Sequence, residues 1–367
     1  MSRRGENIYK RKDGRWEGRF IKEHDRHGKV KYGYVYARSY REVKEKLFCA
    51  RQSKDNVGQD KLFFDFYCDE WLTVSRNRIK ESSYVKYYNT VNRYIKPHFK
   101  SLCTREITTP IVEDFSNTLL KEGLSTKSVK DILIILKSIL KYSRRTSDED
   151  IKEIDIIFPK EAKKEMRVLS VEEQKRFAEF LMTDIDDIKF GILLALLTGM
   201  RIGEVCALRW ENISLEHKLI KVNKTMQRLQ CLNEQEERKT KISVDEAKSQ
   251  HSIRLIPMTE TAILLCQERY CGKEKAFVLT GEEERFIEPR MLQYRFARYA
   301  KECGLSEVHF HTLRHTFATR CVEVGFEIKS LSEILGHSSA KITLDRYVHS
   351  SIALKRENME KLAAVGL

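Results

Sequence analysis

The chain is 367 residues long, room for two or three domains at about 150 residues each, and its 68 Lys and Arg against 54 Asp and Glu give a net charge of +14. That excess favours a polyanionic partner, nucleic acid before a membrane surface, while 41% hydrophobic residues exclude wholesale disorder. The longest apolar run, 190–200, is too short to span a bilayer; the N-terminal MSRRGENIYKRKDGR shows no secretory pattern; nine cysteines without a C-x-x-C pair read as reduced thiols of a cytoplasmic protein.

Charge and turns are concentrated at the start. Residues 1–57 carry 17 Lys or Arg and 8 Asp or Glu. Six of the 16 glycines (Gly5, Gly14, Gly18, Gly28, Gly33 and Gly58) precede residue 59, and the next is Gly123. This break in turn chemistry predicts a domain boundary near residue 58. Within the basic stretch, 7–9, 15–21 and 31–36 read as short strands, with Asp13-Gly14 and His27-Gly28-Lys29 as hairpin turns. Ser39 then caps a helix reaching Arg51, with Glu42 completing a capping box. A three-stranded sheet packed on one helix follows. Arg15, Arg19 and Lys31, set among aromatic residues, would give it a basic face, read as a DNA-contacting arm in preference to a merely solvated sheet.

Residues 60–146 hold a single glycine, and apolar residues recur at helical spacing in four stretches. Ser82 or Ser83 is the expected cap of the second helix and Ser125 of the fourth, giving a four-helix domain. Lys127, Lys130, Lys137, Lys141, Arg144 and Arg145 form a basic edge on its last helix, a pattern that by itself also fits a solvated face. Residues 147–167 are charged and irregular and read as a linker. From 168 to 367 a second helical domain follows, opening with Ser170 as N-cap and Glu173 in the capping-box position. Residues 219–222 and 252–256 read as strands separated by a very polar excursion.

Four segments of this last domain carry chemistry. Arg201 follows Gly199 at a turn between two apolar helices, where a cation needs an anion, either a ligand or an internal partner such as Glu204. Lys248 sits at the tip or first strand of the expected hairpin, where a lysine is ordinarily just solvated. His311 and Arg314, three apart at the opening of a helix, share one face with its free N–H groups, an arrangement suited to phosphate. The alternatives there are N-capping by His311 and a metal site from His309, His311 and His315, which no Asp or Glu within the segment completes. Gly336 reads as a helix C′ residue followed by His337, and Tyr347 lies ten residues on.

Taken in order, Arg201, Lys248, His311-x-x-Arg314, Gly336-His337 and Tyr347 resemble the pattern of the tyrosine recombinases, or phage-type integrases. The likeness covers nearly the whole chain. Residues 1–57 resemble an arm-type DNA-binding domain, 60–146 a helical core-binding (SAM-like) domain, and 168–367 the catalytic domain with a C-terminal exchange tail. The arm module, TLDRYVH around the tyrosine and the LSEILGHSS run are most like the integrases of conjugative transposons of Gram-positive bacteria. The fold implied is mainly α and multidomain: a small three-stranded sheet with a helix, a four-helix domain, and a mainly-α catalytic domain with a small β-sheet.

The resemblance implies Tyr347 as nucleophile, forming a 3′-phosphotyrosyl link with release of a 5′ hydroxyl. Arg201, Arg314 and His337 would grip the phosphate oxygens, whose negative charge grows in the transition state. Lys248 would protonate the leaving oxygen, with Lys239 and Lys241 as alternates, and His311 would assist proton transfer. The link conserves bond energy, so neither ATP, metal nor another cofactor is implied. Implied partners are double-stranded DNA, further copies of the chain as dimer to tetramer, and an excisionase or DNA-bending protein, in a bacterial cytoplasm without membrane association. The tail beyond Tyr347 is amphipathic and could dock on a neighbouring protomer or on its own domain. Competing readings are a type IB topoisomerase, disfavoured by the separate basic arm, and a DNA-binding regulator without catalysis.

Overall fold

The structure, a computed structural model, describes residues 7–24, 30–52, 63–147, 152–161, 166–232, 239–246 and 253–347. The chain falls into two compact units, Met1–Glu161 and Ala162–Leu367.

The first unit opens with strands β1 (Ile8–Lys10), β2 (Trp16–His24) and β3 (Val30–Ala37), antiparallel in that order, followed by helix α1 (Tyr40–Gln52). Ser39 Oγ accepts the Glu42 N–H at 3.2 Å, the cap expected from the sequence. Strand period two sorts the side chains. Ile8 and Ala37 are buried with Val43 and Leu47 of α1, while Tyr32, Tyr34 and Tyr36 stand exposed on the other face. The outer face is therefore aromatic as well as basic: the Arg19 guanidinium lies 3.4 Å from the Tyr32 ring centroid. Arg15 is not on a strand. It precedes β2, and Asp13 in the turn accepts hydrogen bonds from both its backbone N–H and its guanidinium. Lys31 is on β3 opposite Glu23, and its side chain is outside the described set, as is the His27-Gly28-Lys29 turn.

The helical part of this unit comprises α2 (Phe64–Arg76), α3 (Glu81–Thr90) continuing through a π-helical turn at Val91–Ile95 into α4 (Lys96–Phe99), then α5 (Thr109–Lys121) and α6 (Thr126–Thr146). Pro97 accounts for the wide turn, since it lacks an N–H and its ring clashes with a preceding carbonyl in a regular helix. Phe64, Phe99 and Phe115 meet edge to face at the centre, with centroids 5.8 and 5.0 Å apart. Ser125 caps α6 as expected, accepting the Ser128 N–H. The second helix, however, is capped by Lys80, whose carbonyl takes the Ser83 and Tyr84 N–H groups, so Ser82 and Ser83 already lie in the first turn. Segment 152–161 is irregular yet buries Ile156 in the helical core, with Ile154 and Phe158 packed against it.

The second unit begins with α7 (Val171–Met182), closed by the Ser170–Glu173 capping box. Helix α8 (Asp187–Thr198) follows, apolar all round because it runs through the core. Then come α9 (Ile202–Ala207), strands β4 (Ile213–Ser214), β5 (Leu219–Val222), β6 (Lys224–Gln230), β7 (Thr240–Glu246) and β8 (Arg254–Pro257), and helices α10 (Glu260–Arg269), α11 (Pro289–Glu302), α12 (Phe310–Glu323), α13 (Ile328–Leu335) and α14 (Ala340–Tyr347). Strands β4, β5 and β8 form one sheet. The polar excursion between β5 and β8 is itself a hairpin, β6 pairing antiparallel with β7 from Lys224↔Glu246 to Gln230↔Thr240. Its polarity hid it: Met226 and Leu229 are buried, but polar cross-strand partners such as Gln227 and Asp245 make up most of the rest. No helix among the described residues is long and apolar enough to cross a membrane.

Candidate active site

The site is built around the C-terminal end of α13. Helix ends leave carbonyls without intrahelical partners, and here three successive ones are each taken by a different arginine. Arg254 Nε donates to the Ile334 carbonyl at 2.6 Å, Arg314 Nη2 to Leu335 at 2.5 Å, and Arg201 Nη2 to Gly336 at 3.2 Å. Arg314 also donates through Nη1 to the carbonyl of Gly199, at the C-terminal end of α8, at 2.8 Å. Gly199 and Gly336 are both left-handed, with φ of 66° and 64°, which turns these carbonyls out of their helices.

One carboxylate ties the cations together. Glu204 accepts from Arg254 at 3.0 and 2.7 Å and from Arg201 Nη1 at 2.8 Å, and it closes the N-terminus of α9 by accepting the Arg201 backbone N–H. Burial pushes the Glu204 carboxyl up, but hydrogen bonds from Arg254 and the charges of both arginines prevail and hold it at about 2. The internal ion pair considered for Arg201 therefore exists, and the side chain nevertheless keeps 38% exposure. Arg314 is 1% exposed and has no carboxylate partner among the described residues. Burial, then the charge of Arg201, lowers it to about 9. Three guanidinium groups held by carbonyls against a single shared carboxylate leave positive charge for an anion to neutralise.

Aromatic rings line the site beside them. The parallel rings of His337 and Tyr347 have centroids 6.3 Å apart, and His337 Nδ1 is 2.8 Å from Thr343 Oγ1. Tyr347 ends α14 at 5% exposure, and its hydroxyl is 2.8 Å from His315 Nδ1. His311 meets His315 edge to face at 4.6 Å. Burial pushes the Tyr347 phenol above its ordinary value, opposed by Arg314, Arg346 and Arg201. His337 falls to about 3 and His315 to about 4, in each case from burial first and then from surrounding arginines. His311, on the exposed side, is also lowered by desolvation and then by His315 and Arg314.

The structure thus brings together five of the six expected site residues, Arg201, His311, Arg314, His337 and Tyr347. Lys248 lies outside the described residues. Of its alternates, Lys241 is on β7 and Lys239 lies just before that strand. The N-cap of α12 is His309, not His311: its backbone N–H donates to Thr312 Oγ1 at 3.2 Å. The histidines do not gather as a ligand set, because His315 is turned onto Tyr347. Sequence reasoning missed Arg254, whose signal was a cation within an apolar strand, and named His315 only as a candidate metal ligand.

In the first unit, Lys127, Lys130, Ile134, Lys137, Lys141 and Arg145 follow spacings of three and four along α6 and form one stripe, in which Ile134 is 50% exposed. Arg144, at its edge, pairs with Glu153 at 3.1 Å.

Comparison with known proteins gives the family and the fold. Residues 167–353 match the model of the phage integrase family, and residues 63–120 match its N-terminal SAM-like domain. A XerC-like tyrosine recombinase of Caldanaerobacter subterraneus subsp. tengcongensis is 28% identical over 368 residues, covering 92% of this chain and 93% of the relative. The ICEBs1 integrase of Bacillus subtilis is 26% identical over 290 residues, 74% of this chain and 75% of that protein. The fold matches the Tn1549 transposon integrase, solved with a circular intermediate DNA, at a TM-score of 0.69 and 20% identity over 82% of this chain and 99% of that one. The chain belongs to the phage integrase family, the tyrosine recombinases, enzymes that cut and rejoin DNA.

Proposed function

We propose that this recombinase integrates and excises a mobile element of the conjugative-transposon type, cutting each strand through a 3′-phosphotyrosyl link to Tyr347. The observation that carries the reading is the convergence of Tyr347, His337, His311, Arg314 and Arg201 on the end of α13. In the proposed reaction Arg201 and Arg314 bind the non-bridging oxygens, and His337 and His311 add hydrogen bonds as negative charge grows on them. Lys248 protonates the departing 5′ oxygen, with Lys241 and Lys239 as alternates on or beside β7. The transition-state charge is thus met by cations already fixed in place, so little reorganisation is needed.

Exchange between two duplexes requires four cuts, and four copies supply one tyrosine for each, so the working form is a tetramer assembled from DNA-bound dimers. In this reading 1–57 is an arm that grips DNA through Arg15, Arg19 and Lys31, and 60–146 clamps the duplex with Lys127, Lys130, Lys137 and Arg144. Segment 147–167 joins these to the catalytic part, 168–367. An excisionase or DNA-bending protein sets the direction of the reaction.

The test begins with a randomised duplex pool from which the purified protein enriches its own binding sequence. A nicked duplex of that sequence is then offered, and products are resolved on a denaturing gel. The expected result is protein joined to the 3′ side, lost in Tyr347→Phe while binding stays within a few-fold, because phosphate contacts dominate affinity. No adduct on DNA that the wild type binds would replace the recombinase reading with that of a DNA-binding regulator.

A further inference from the structure

The Tyr347 hydroxyl is the one reacting atom the protein itself supplies, and a phenol must lose its proton as it attacks phosphorus. Its surroundings narrow where that proton can go. Tyr347 is 5% and His315 7% exposed, so bulk water does not serve as the acceptor. His315 Nδ1 is 2.8 Å from the hydroxyl oxygen. Arg346, the preceding residue on α14, sets positive charge beside the phenol and favours its ionised form, and an Nδ1 lone pair facing the hydroxyl at this distance accepts its hydrogen. We infer that His315 is a further catalytic residue, whose Nδ1 holds the Tyr347 hydroxyl in the resting enzyme and accepts its proton during cleavage. This rests on the reading of Tyr347 as nucleophile.

The step balances without any added reagent. The Oη–H bond breaks and its proton passes to Nδ1, while Nε2 keeps its own hydrogen, giving an imidazolium. The oxygen lone pair forms the Oη–P bond, the P–O5′ bond breaks, and the 5′ oxygen leaves with the electron pair and is protonated by the lysine proposed above. On rejoining, the incoming 5′ hydroxyl returns its proton to that lysine, and Oη recovers its proton from His315 as it departs.

The groups that face His315 keep it ready to accept. Among the described residues, Arg346 and Tyr347 approach from α14, Arg314 and His311 from α12, and His309 from the start of α12; none of these is an anion at neutral pH. The ring is accordingly neutral before DNA arrives. A phosphodiester bound by Arg201 and Arg314 adds negative charge nearby, making the imidazolium less costly at the moment it forms. His311, more exposed and touching His315 ring to ring, is placed to relay the proton outward.

Two measurements test this. In the DNA-free protein, nitrogen-15 NMR of the imidazoles at pH 7 is expected to show His315 as the Nε2–H tautomer, its Nδ1 signal shifting in Tyr347→Phe. A His315 protonated on Nδ1 alone would overturn the assignment. The second is the rate of adduct formation on the enriched nicked duplex between pH 6 and 9. His315→Asn places an amide oxygen near the position of Nδ1, so it can hold the hydroxyl but cannot take the proton. Its rate is expected to fall about 10²- to 10⁴-fold and to rise tenfold per pH unit, because the phenol must then ionise to hydroxide, while the wild type changes little. Asn at wild-type rate, or slowed with the wild-type pH dependence, would reduce His315 to a structural contact. His315→Phe, which cannot hold the hydroxyl, should be slower still. Failure of the wild type itself to form adduct would sink the nucleophile and this inference together, an outcome distinct from failure of the His315 variants alone.

Discussion

Arg254 and Glu204 form a two-pronged buried ion pair, 3.0 and 2.7 Å between their atoms and with side chains 4% and 6% exposed. Its position matters more than its energy, because a buried pair often gains little over apolar packing while half of one is costly. Glu204 also holds Arg201, so Arg254 acts on Arg201, the proposed phosphate ligand, through a shared carboxylate. Arg254→Leu is expected to lower unfolding stability by about 3–5 kcal/mol and to slow adduct formation as Arg201 loses its anchor. Arg254→Lys should recover little, since an ammonium cannot make the paired contact. Denaturant titration alongside the adduct assay checks both; a stable, fully active Arg254→Leu protein would remove Arg254 from the site.

The buried titrating groups set how stability responds to acid. Glu204 is held at about 2 against an unfolded value of 4.5, so its contribution is full above pH 4.5 and is lost as pH falls toward 2. His337 at about 3 and His315 at about 4 also lie below their ordinary 6.5. Below pH 6.5 the unfolded chain takes up protons that the folded chain refuses, so stability declines from there downward and is level above. Urea midpoints between pH 4.5 and 8 should therefore fall on the acid side, and more gently in His315→Asn, which removes one refused proton. A flat profile from 8 to 5 would show these rings to be solvated.

Gly199 gives a sharper structural test. At φ 66° an L side chain is strained by about 1–2 kcal/mol, and a Cβ there would stand 2.5 Å from Phe317 Cδ1 and 3.1 Å from Leu335 Cδ2. The carbonyl of this residue is one of the two that hold Arg314. Gly199→Ala is expected to lower the melting temperature by several degrees and, where folded, to form adduct at least tenfold more slowly. Wild-type cleavage in a destabilised Gly199→Ala protein would show that Arg314 does not depend on this carbonyl.

The sequence disclosed most readily what repeats or breaks a pattern. Strand alternation and turn residues gave the three-stranded sheet, period 3.6 gave the four helices, and the all-apolar run was α8. Arg201, His311, Arg314, His337 and Tyr347 could be gathered because their order matches a known family, although they span almost 150 positions and share no local pattern. What stayed hidden was three-dimensional. The β6–β7 hairpin carries too little alternation to stand out. The caps at Lys80 and His309 work through backbone groups that residue type does not reveal. The roles of Arg254 and His315 depend on which carbonyl and which hydroxyl they meet, and nothing in SIRLIP or LRHTF declares that.

The basic stripe of α6 separates a DNA-binding surface from a solvated one without knowledge of the target. Lys127, Lys137 and Lys141 are exposed, Lys130 is half-buried, and the opposite face of the helix buries Val129, Leu133, Leu136 and Ile139. Replacing the four lysines with glutamine should therefore leave helicity and melting temperature unchanged. If each meets a phosphate, the slope of log affinity against log salt becomes shallower by about 0.9 for every phosphate no longer neutralised, and binding weakens alike on specific and random duplexes. Ile134→Ala, in the middle of the same stripe, should leave the slope alone. An unchanged slope in the fourfold variant would assign the stripe to solvent and leave the exposed Arg19–Tyr32 face of the small sheet as the stronger candidate for DNA contact in this unit.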